Sequence, residues 1–291
     1  VSQSIGRLAV IGVGLIGGSL ARALRAAGKV DEIVGCGRGR ANLEEAVTLG
    51  VIDRYSHDVA EAVSDADLVF LAVPLGAMRA AFAEMRESLP EHALVTDGGS
   101  AKGSVVADCR DAAPRLLRRF VPGHPIAGTE KNGVAASFAE LYQNRRVILT
   151  PLPENDATDV ARVRAIWEAC GAEVTEMPVE HHDEVLAATS HLPHMLAFGL
   201  VDMLARMKEN DEIFRYAAGG FRDFTRIASS NPVMWRDICI ANREALSPML
   251  AAYAEEMTAL ADSIAAADAD ELLAIFERAK AARDRFVDGL I

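Results

Sequence analysis

Apolar positions in the first half of the chain come in short unbroken runs, Leu8-Ala9-Val10-Ile11, Leu68-Val69-Phe70-Leu71 and Leu94-Val95, separated by segments with helical spacing. A strand with one wet face alternates apolar and polar residues, whereas a strand covered on both faces does not. These runs therefore predict a parallel sheet with crossover helices. Strands are expected at Arg7–Gly12, Glu32–Cys36, Ala66–Val73 (stopped by Pro74), Ala93–Asp97, Arg146–Thr150 and Glu173–Met177. Helices are expected at Gly17–Ala27, Ala41–Leu49, Gly76–Ser88, Lys102 to about Ala113, and Asp159–Cys170.

After Pro178 the pattern changes and no further strand is expected. Met195–Met207 is apolar nearly all round, as in a helix buried within a bundle. Leu246, Met249, Tyr253, Met257, Leu260 and Ile264 follow a spacing close to a coiled-coil seam, with another helix at Asp270–Val287. Such a seam packs either within the chain or against a second subunit. The expected organisation is an α/β domain over residues 1–177 and an all-α domain over 178–291, with no obvious linker.

The chain has 291 residues, enough for two ordinary domains. Its 51% apolar and 25% charged residues exclude wholesale disorder and fibrous repeats. Thirty basic against 42 acidic residues give a net charge of -12. Binding to nucleic acid or anionic membrane would need a local basic patch, and Arg118-Arg119 and Arg145-Arg146 are too short to form one. Cys36, Cys109, Cys170 and Cys239 show no CxxC pair and no metal-ligand spacing, so no metal is expected and the thiols read as reduced. The apolar stretches Leu8–Ala21 and Leu68–Met78 are shorter than the roughly 20 residues that span a bilayer. The first holds four glycines and lacks a signal-peptide cleavage pattern; a cytoplasmic location is expected.

Those glycines carry chemistry. Gly12-Val13-Gly14-Leu15-Ile16-Gly17 leaves the first strand directly and opens a helix, which is the context that makes GxGxxG a pyrophosphate cradle. Gly12 allows the tight turn, Gly14 the approach of a phosphate, and Gly17 close helix–strand packing. The N–H groups of the helix start, at Leu15 and Ile16, then face the anion. An acidic residue about 20 positions on normally binds the ribose 2′-hydroxyl of NAD. Here the chain reads Cys36-Gly37-Arg38-Gly39-Arg40, with no carboxylate. Arg38 and Arg40 can instead pair with a 2′-phosphate, which favours NADP with NAD possible; the structural alternative is two solvated arginines at a turn. Val73-Pro74 and the small-residue loop Asp97-Gly98-Gly99-Ser100-Ala101-Lys102-Gly103 close further strands at the edge where a dinucleotide lies. Ser100 there offers a hydroxyl to the nicotinamide side, or a cap to the next helix.

His124 stands between two prolines in the glycine-rich segment Phe120–Glu130, which reads as a rigid loop holding a neutral imidazole as base. Ser190-His191-Leu192-Pro193-His194 starts the apolar helix; its two histidines at i and i+3 have the spacing of metal ligands but lack a third ligand of clear spacing, and His181-His182-Asp183 just upstream reads equally as the completion of such a site or as a solvated helix start. Gly219–Ala228 carries Arg222 and Arg226, followed by Asn231–Ile238. Arg226 can grip a substrate carboxylate, the alternative being a salt bridge to Asp223 or Asp237.

Gly12–Gly18, Asp97–Gly103, Gly123–Glu130, Ser190–His194 and Gly219–Ile238 together resemble the prephenate/arogenate dehydrogenase family of tyrosine biosynthesis. The resemblance implies a Rossmann-type domain, a helical domain that makes a homodimer, and an active site between them. It implies oxidative decarboxylation of a cyclohexadienol, prephenate or arogenate. His124 would then take a proton or hydrogen bond from the ring 4-hydroxyl, assisted by Ser100. Arg226 would bind the carboxylate, and His194, Glu130 and Trp235 would line the substrate pocket. Gly37, where many members have Asp, departs from the pattern and bears on strict NAD use. Two other classes compete: a β-hydroxyacid dehydrogenase, which needs a catalytic lysine in its second domain (here only Lys208 and Lys280), and a non-catalytic dinucleotide-binding regulator.

Overall fold

Runs of apolar residues with no polar alternation have to be covered on both faces, and the chain does this around one parallel sheet. A computed structural model describes residues 4–129, 131–208 and 210–289. The sheet is built from β1 (Ile5–Ile11), α1 (Leu15–Ala26), β2 (Val30–Cys36), α2 (Arg40–Thr48), β3 (Arg54–Ser56), α3 (Val59–Val63), β4 (Leu68–Leu71), α4 (Met78–Met85), β5 (Leu94–Asp97), α5 (Gly103–Ala112) and β6 (Phe120–Val121). Its strand order is β3-β2-β1-β4-β5-β6 and every pairing is parallel. This is the doubly wound Rossmann order, whose switch point lies between β1 and β4. One apolar core, including Phe82 and Phe120, lies under α4 and α5. The opposite core holds Leu20, Phe70, Tyr142 and Trp167. Phe70 and Tyr142 meet Trp167 edge-on at 5.5 and 5.1 Å, contacts worth about 0.5–1.5 kcal/mol each beyond burial.

Two of the expected strands belong elsewhere. β7 (Gly123–Pro125), β8 (Arg146–Leu149) and β9 (Glu173–Glu176) form a separate sheet, with α6 (Ala157–Ala169) between the last two. The segment expected as a loop around His124 is therefore the edge strand β7, antiparallel to β8 with His124 opposite Ile148. Pro125 is tolerated because an edge strand has one side without ladder bonds. The short elements β3, α3, β6 and β7 are too brief to leave a periodicity in the sequence.

The helices that follow are α7 (Val179–Leu186), α8 (Leu192–Ala205), α9 (Asn210–Arg215), α10 (Gly219–Thr225), α11 (Pro232–Ala241), α12 (Arg243–Ala265) and α13 (Ala269–Asp288). Between α7 and α8 the chain makes a π-helical turn over Ala187–His191. Pro193 lacks the N–H that an α-helix would offer to Thr189, so the ladder is interrupted there. Compact units divide at Val1–Arg243 and Glu244–Ile291. In the first, Trp235 and Ile238 of α11 are buried in the same core as Leu75 and Met78. α8 is not buried in a bundle: only Ala197 is fully covered, and Met203 is half-exposed. The second unit, α12 and α13, leaves Ile264, Leu273 and Phe276 each more than half exposed.

At the switch point the three glycines behave differently. Gly12 has φ +99°, and a Cβ there would lie 2.4 Å from the Ala72 carbonyl oxygen. A Cβ on Gly17 would meet the Gly12 oxygen at 2.3 Å, whereas one on Gly14 would meet nothing within 4 Å. Gly12→Ala should therefore cost about 1–3 kcal/mol in urea unfolding, and Gly14→Ala about 0.5 kcal/mol or less. Equal midpoints for the two variants would contradict this division of labour.

Candidate active site

A cavity of about 660 Å³ opens at the carboxyl ends of β1, β2 and β4. Gly12, Gly14, Arg38, Val73 and Pro74 all line it. Gly14 is also the N-cap of α1, and no side chain caps that helix, so its first N–H groups and dipole are directed at whatever the cavity holds. Leu15 is buried and Ile16 half-buried; their contribution is backbone. Gly17 lies outside the lining and serves packing. The empty space above Gly14, the close glycine contacts on either side and the uncapped helix together fit a dinucleotide pyrophosphate.

The β2 end is more crowded than its sequence implies. Arg38 lines the cavity, while Arg40 is turned away to Glu44 at 2.8 Å. His57, from the turn after β3, donates its Nδ1–H to the Gly37 carbonyl at 2.7 Å and joins the same wall. Glu84 of α4 also reaches the lining, a carboxylate that no reading of residues 36–40 would find. Asn42 donates to the Val13 carbonyl at 2.7 Å and accepts from the Val134 N–H at 3.2 Å, holding the glycine turn to a distant segment. The signal for these groups is spatial and not local in sequence.

His124 lies on a second cavity of about 550 Å³. The other groups that matter there are Thr129, Ser190, His194, Arg226 and Trp235. Thus an imidazole from β7 and a guanidinium from the end of α10 share one small space. His194 donates Nδ1–H to the Ser190 carbonyl at 2.8 Å and stacks on Trp235, ring centroids 3.6 Å apart. Burial pulls its pKa below the ordinary value, and Arg226 acts in the same direction. Asp237, one alternative partner for Arg226, is bonded to Arg236 at 2.6 Å. Glu130 lies outside the described residues. Ser100 follows the Gly98–Gly99 turn, is absent from both linings and makes no side-chain hydrogen bond among the described residues. It does not cap α5 either, since Lys102 is the N-cap.

Behind His124 the protein is polar and dry. Its Nδ1 lies 2.9 Å from His182 Nε2, and His182 Nδ1 lies 2.8 Å from Asp183 Oδ1. Asp183 also accepts the backbone N–H groups of Lys102 and Gly103, each at 2.8 Å, at the start of α5. His182 is fully buried and Asp183 nearly so, not the solvated helix start that the sequence allows. Lys102, fully buried, bonds to Asp97 and donates to the Gly123 carbonyl at 2.8 Å. Burial, then the nearby His182, Lys102 and His191, hold the His124 pKa well below 6.5, so the ring is neutral at pH 7.

His191 and His194, three apart in sequence, face different partners: the Asn242 amide lies 3.0 Å from His191 Nδ1. Among the described residues no cluster of three His, Cys, Asp or Glu side chains could hold a metal ion, and no helix is long and apolar enough to cross a membrane. The four cysteines are free; burial pushes the Cys36 thiol up to about 11 and those of Cys109 and Cys170 to about 12. No lysine lines either cavity, and Lys208 and Lys280 are exposed.

Comparison with known proteins places this geometry. The model of the prephenate dehydrogenase nucleotide-binding domain matches residues 20–176, and that of the prephenate dehydrogenase dimerization domain matches residues 178–278. A cyclohexadienyl dehydrogenase of Zymomonas mobilis is 41% identical over 95% of this chain and 94% of its own length. The prephenate dehydrogenase of Bacillus subtilis is 36% identical over 98% of this chain and 77% of its own. Among solved structures, the prephenate dehydrogenase of Aquifex aeolicus, in complex with hydroxyphenyl propionate and NAD+, superposes with a TM-score of 0.91 at 38% identity, covering 98% of this chain and 100% of that one. With two domain models matched in order and relatives similar over most of their length, the chain belongs to the prephenate dehydrogenase family.

Proposed function

We propose that the chain oxidatively decarboxylates prephenate, arogenate or both, yielding 4-hydroxyphenylpyruvate or tyrosine. The observation that carries this reading is the single cavity lined by both His124 and Arg226. The dinucleotide, when bound across Gly12, Gly14 and the start of α1, supplies the hydride acceptor. Loss of CO2 makes the substrate ring aromatic, so the driving force resides in the substrate and the protein has to orient it and accept a proton. Arg226 pairs with a carboxylate and fixes the ring. His194 and Trp235 form a flat wall against it, and Glu130 is proposed as a further substrate-binding residue. Neutral His124 accepts the 4-hydroxyl proton; as the ring carbon is oxidised that proton becomes strongly acidic, so a weak base suffices. General base action of this kind contributes about 10²–10⁴-fold. Ser100, on the small-residue loop after β5 and outside the lining of this cavity, is proposed to assist His124 from the nicotinamide side.

NADP is the favoured cofactor, with NAD also accepted. Arg38 and the adjoining His57 support a 2′-phosphate site, while Glu84 on the same wall can serve a 2′-hydroxyl. A homodimer through the helical half is supported by the exposed apolar residues of α8, α12 and α13 and by the match to a dimerization domain. Free, un-ionised thiols suit a cytoplasmic setting.

Steady-state kinetics with two substrates and two cofactors test the reading directly; no dinucleotide reduction with either compound would remove it. In the same assay His124→Asn should lower kcat about 10²–10⁴-fold with dinucleotide affinity unchanged. Because burial lowers the pKa of His124, its neutral form persists as pH falls, and the acid limb of the wild-type kcat profile should lie below pH 6.5. Arg226→Gln should chiefly raise KM for the ring substrate, about 10–100-fold for a lost charge-assisted bond; an unchanged KM would assign the grip to another group. Arg38→Ala should reduce the preference for NADP over NAD by about tenfold or more, and an unchanged ratio would leave the 2′-phosphate without its proposed partner.

A further inference from the structure

Neutral imidazole exists in two tautomers, and only the one with a bare Nε2 can act as a base toward the cavity when Nδ1 is turned inward. Which one His124 adopts is set by what faces its Nδ1. That neighbour is His182 Nε2 at 2.9 Å, and its protonation depends in turn on Asp183. We infer that Asp183 and His182 are positioning residues for the proposed reaction, fixing His124 with its proton on Nδ1 and its Nε2 lone pair available.

The inference follows from donor and acceptor accounting along one chain of atoms. Asp183 sits at the start of α5, a ten-residue helix, and accepts two backbone N–H groups from Lys102 and Gly103. Those bonds, with His182, hold its carboxyl below the usual range in spite of burial. An ionised carboxylate has no proton to give, so the 2.8 Å contact requires His182 to donate from Nδ1. Neutral His182 then carries a bare Nε2. The 2.9 Å contact to His124 consequently requires His124 to donate from Nδ1, which leaves Nε2 as its acceptor. Each assignment forces the next, and the origin is a backbone feature, the amino end of α5.

Burial keeps both rings neutral, desolvation being the first cause of the lowered pKa of His124 and of His182. Lys102, His191 and His182 oppose a positive charge on His124, while Asp183 and Asp97 attract one on His182. Lys102 is neutralised by Asp97, so the carboxylate that His182 meets is Asp183. Asn242 holds the Asp183 carbonyl at 2.8 Å and keeps the backbone of this turn in place. When His124 takes up a proton at Nε2, the Asp183 charge one ring away offsets the new imidazolium, as an aspartate does behind a catalytic histidine in other enzymes.

Two measurements test the assignment, which rests on His124 being the base. Nitrogen-15 spectra of histidine-labelled wild-type enzyme near pH 8, with His124 identified by its loss in His124→Asn, should show Nδ1 protonated and Nε2 bare. A protonated Nε2 in the wild type would overturn the inference, and this readout requires neither substrate nor turnover. Paired variants supply the kinetic test. His182→Leu removes the acceptor and should lower kcat about 100-fold with dinucleotide affinity within about twofold. His182→Gln can accept from His124 and donate to Asp183, and should recover at least about tenfold of that loss. Equal turnover of the Leu and Gln variants would reduce His182 to packing and sink the proposal. Failure of the substrate assignment is distinguishable, since wild type itself would then turn over neither prephenate nor arogenate.

Discussion

One buried ion pair joins the parts of this site. Lys102 bonds to Asp97 at the end of β5 and to the Gly123 carbonyl at the start of β7, while Asp97 accepts the Gly123 N–H at 3.0 Å and the Gly99 N–H at 2.8 Å. The two sheets are thus fastened where the chain passes from β6 to β7, one residue before His124. Burying two charges is costly, and removing one partner from such a pair typically costs about 3–5 kcal/mol because the other is left bare. The Asp97–Lys102 segment, with its small residues, is a clamp first: a Cβ on Gly98 would come within 3.1 Å of Ile16 and Phe70.

Burial then decides the chemistry of the residues that the clamp positions. His124, His182 and His191 all have pKa values below the ordinary histidine, the last at about 4, and desolvation is the first cause for each. An exposed histidine between two prolines would be substantially protonated at mildly acidic pH; this one stays neutral. The same desolvation pushes the thiols of Cys109 and Cys170 up, because a thiolate is poorly stabilised in apolar surroundings. The polar wall behind β7 holds one side of the imidazole, through His182, while the residue also lines the cavity before it.

The helices after Pro178 have a different economy of surface. α7 and α11 contribute His182, Asp183 and Trp235 to the core or cavity of the first unit. α8, by contrast, is apolar on more of its circumference than the chain covers, with Met203 exposed, and within the second unit Leu273 and Phe276 face solvent. The match to a dimerization-domain model, over residues 178–278, falls on these same helices.

Much of this was legible in one dimension. The parallel sheet followed from unbroken apolar runs, and the glycine cradle from three glycines between a strand and a helix. His124 and Arg226 stand out as chemical residues in small, constrained segments, whereas the pocket roles of His194 and Trp235 are implied only by the family resemblance. Short elements such as β3 and β7 do not stand out, since three residues carry no periodicity, and the apolar α8 read as buried because a sequence cannot say which chain does the burying. His182 and Asp183 read as a solvated helix start for the same reason that Glu84, His57 and Asn42 were invisible at the cradle: their partners lie tens of residues away, and local pattern carries no record of such contacts. The chain by itself determined the fold class and the types of group available for catalysis. Only tertiary packing decided which of them are dry, which meet, and therefore where each proton resides, because desolvation and hydrogen-bond direction are properties of neighbours in space.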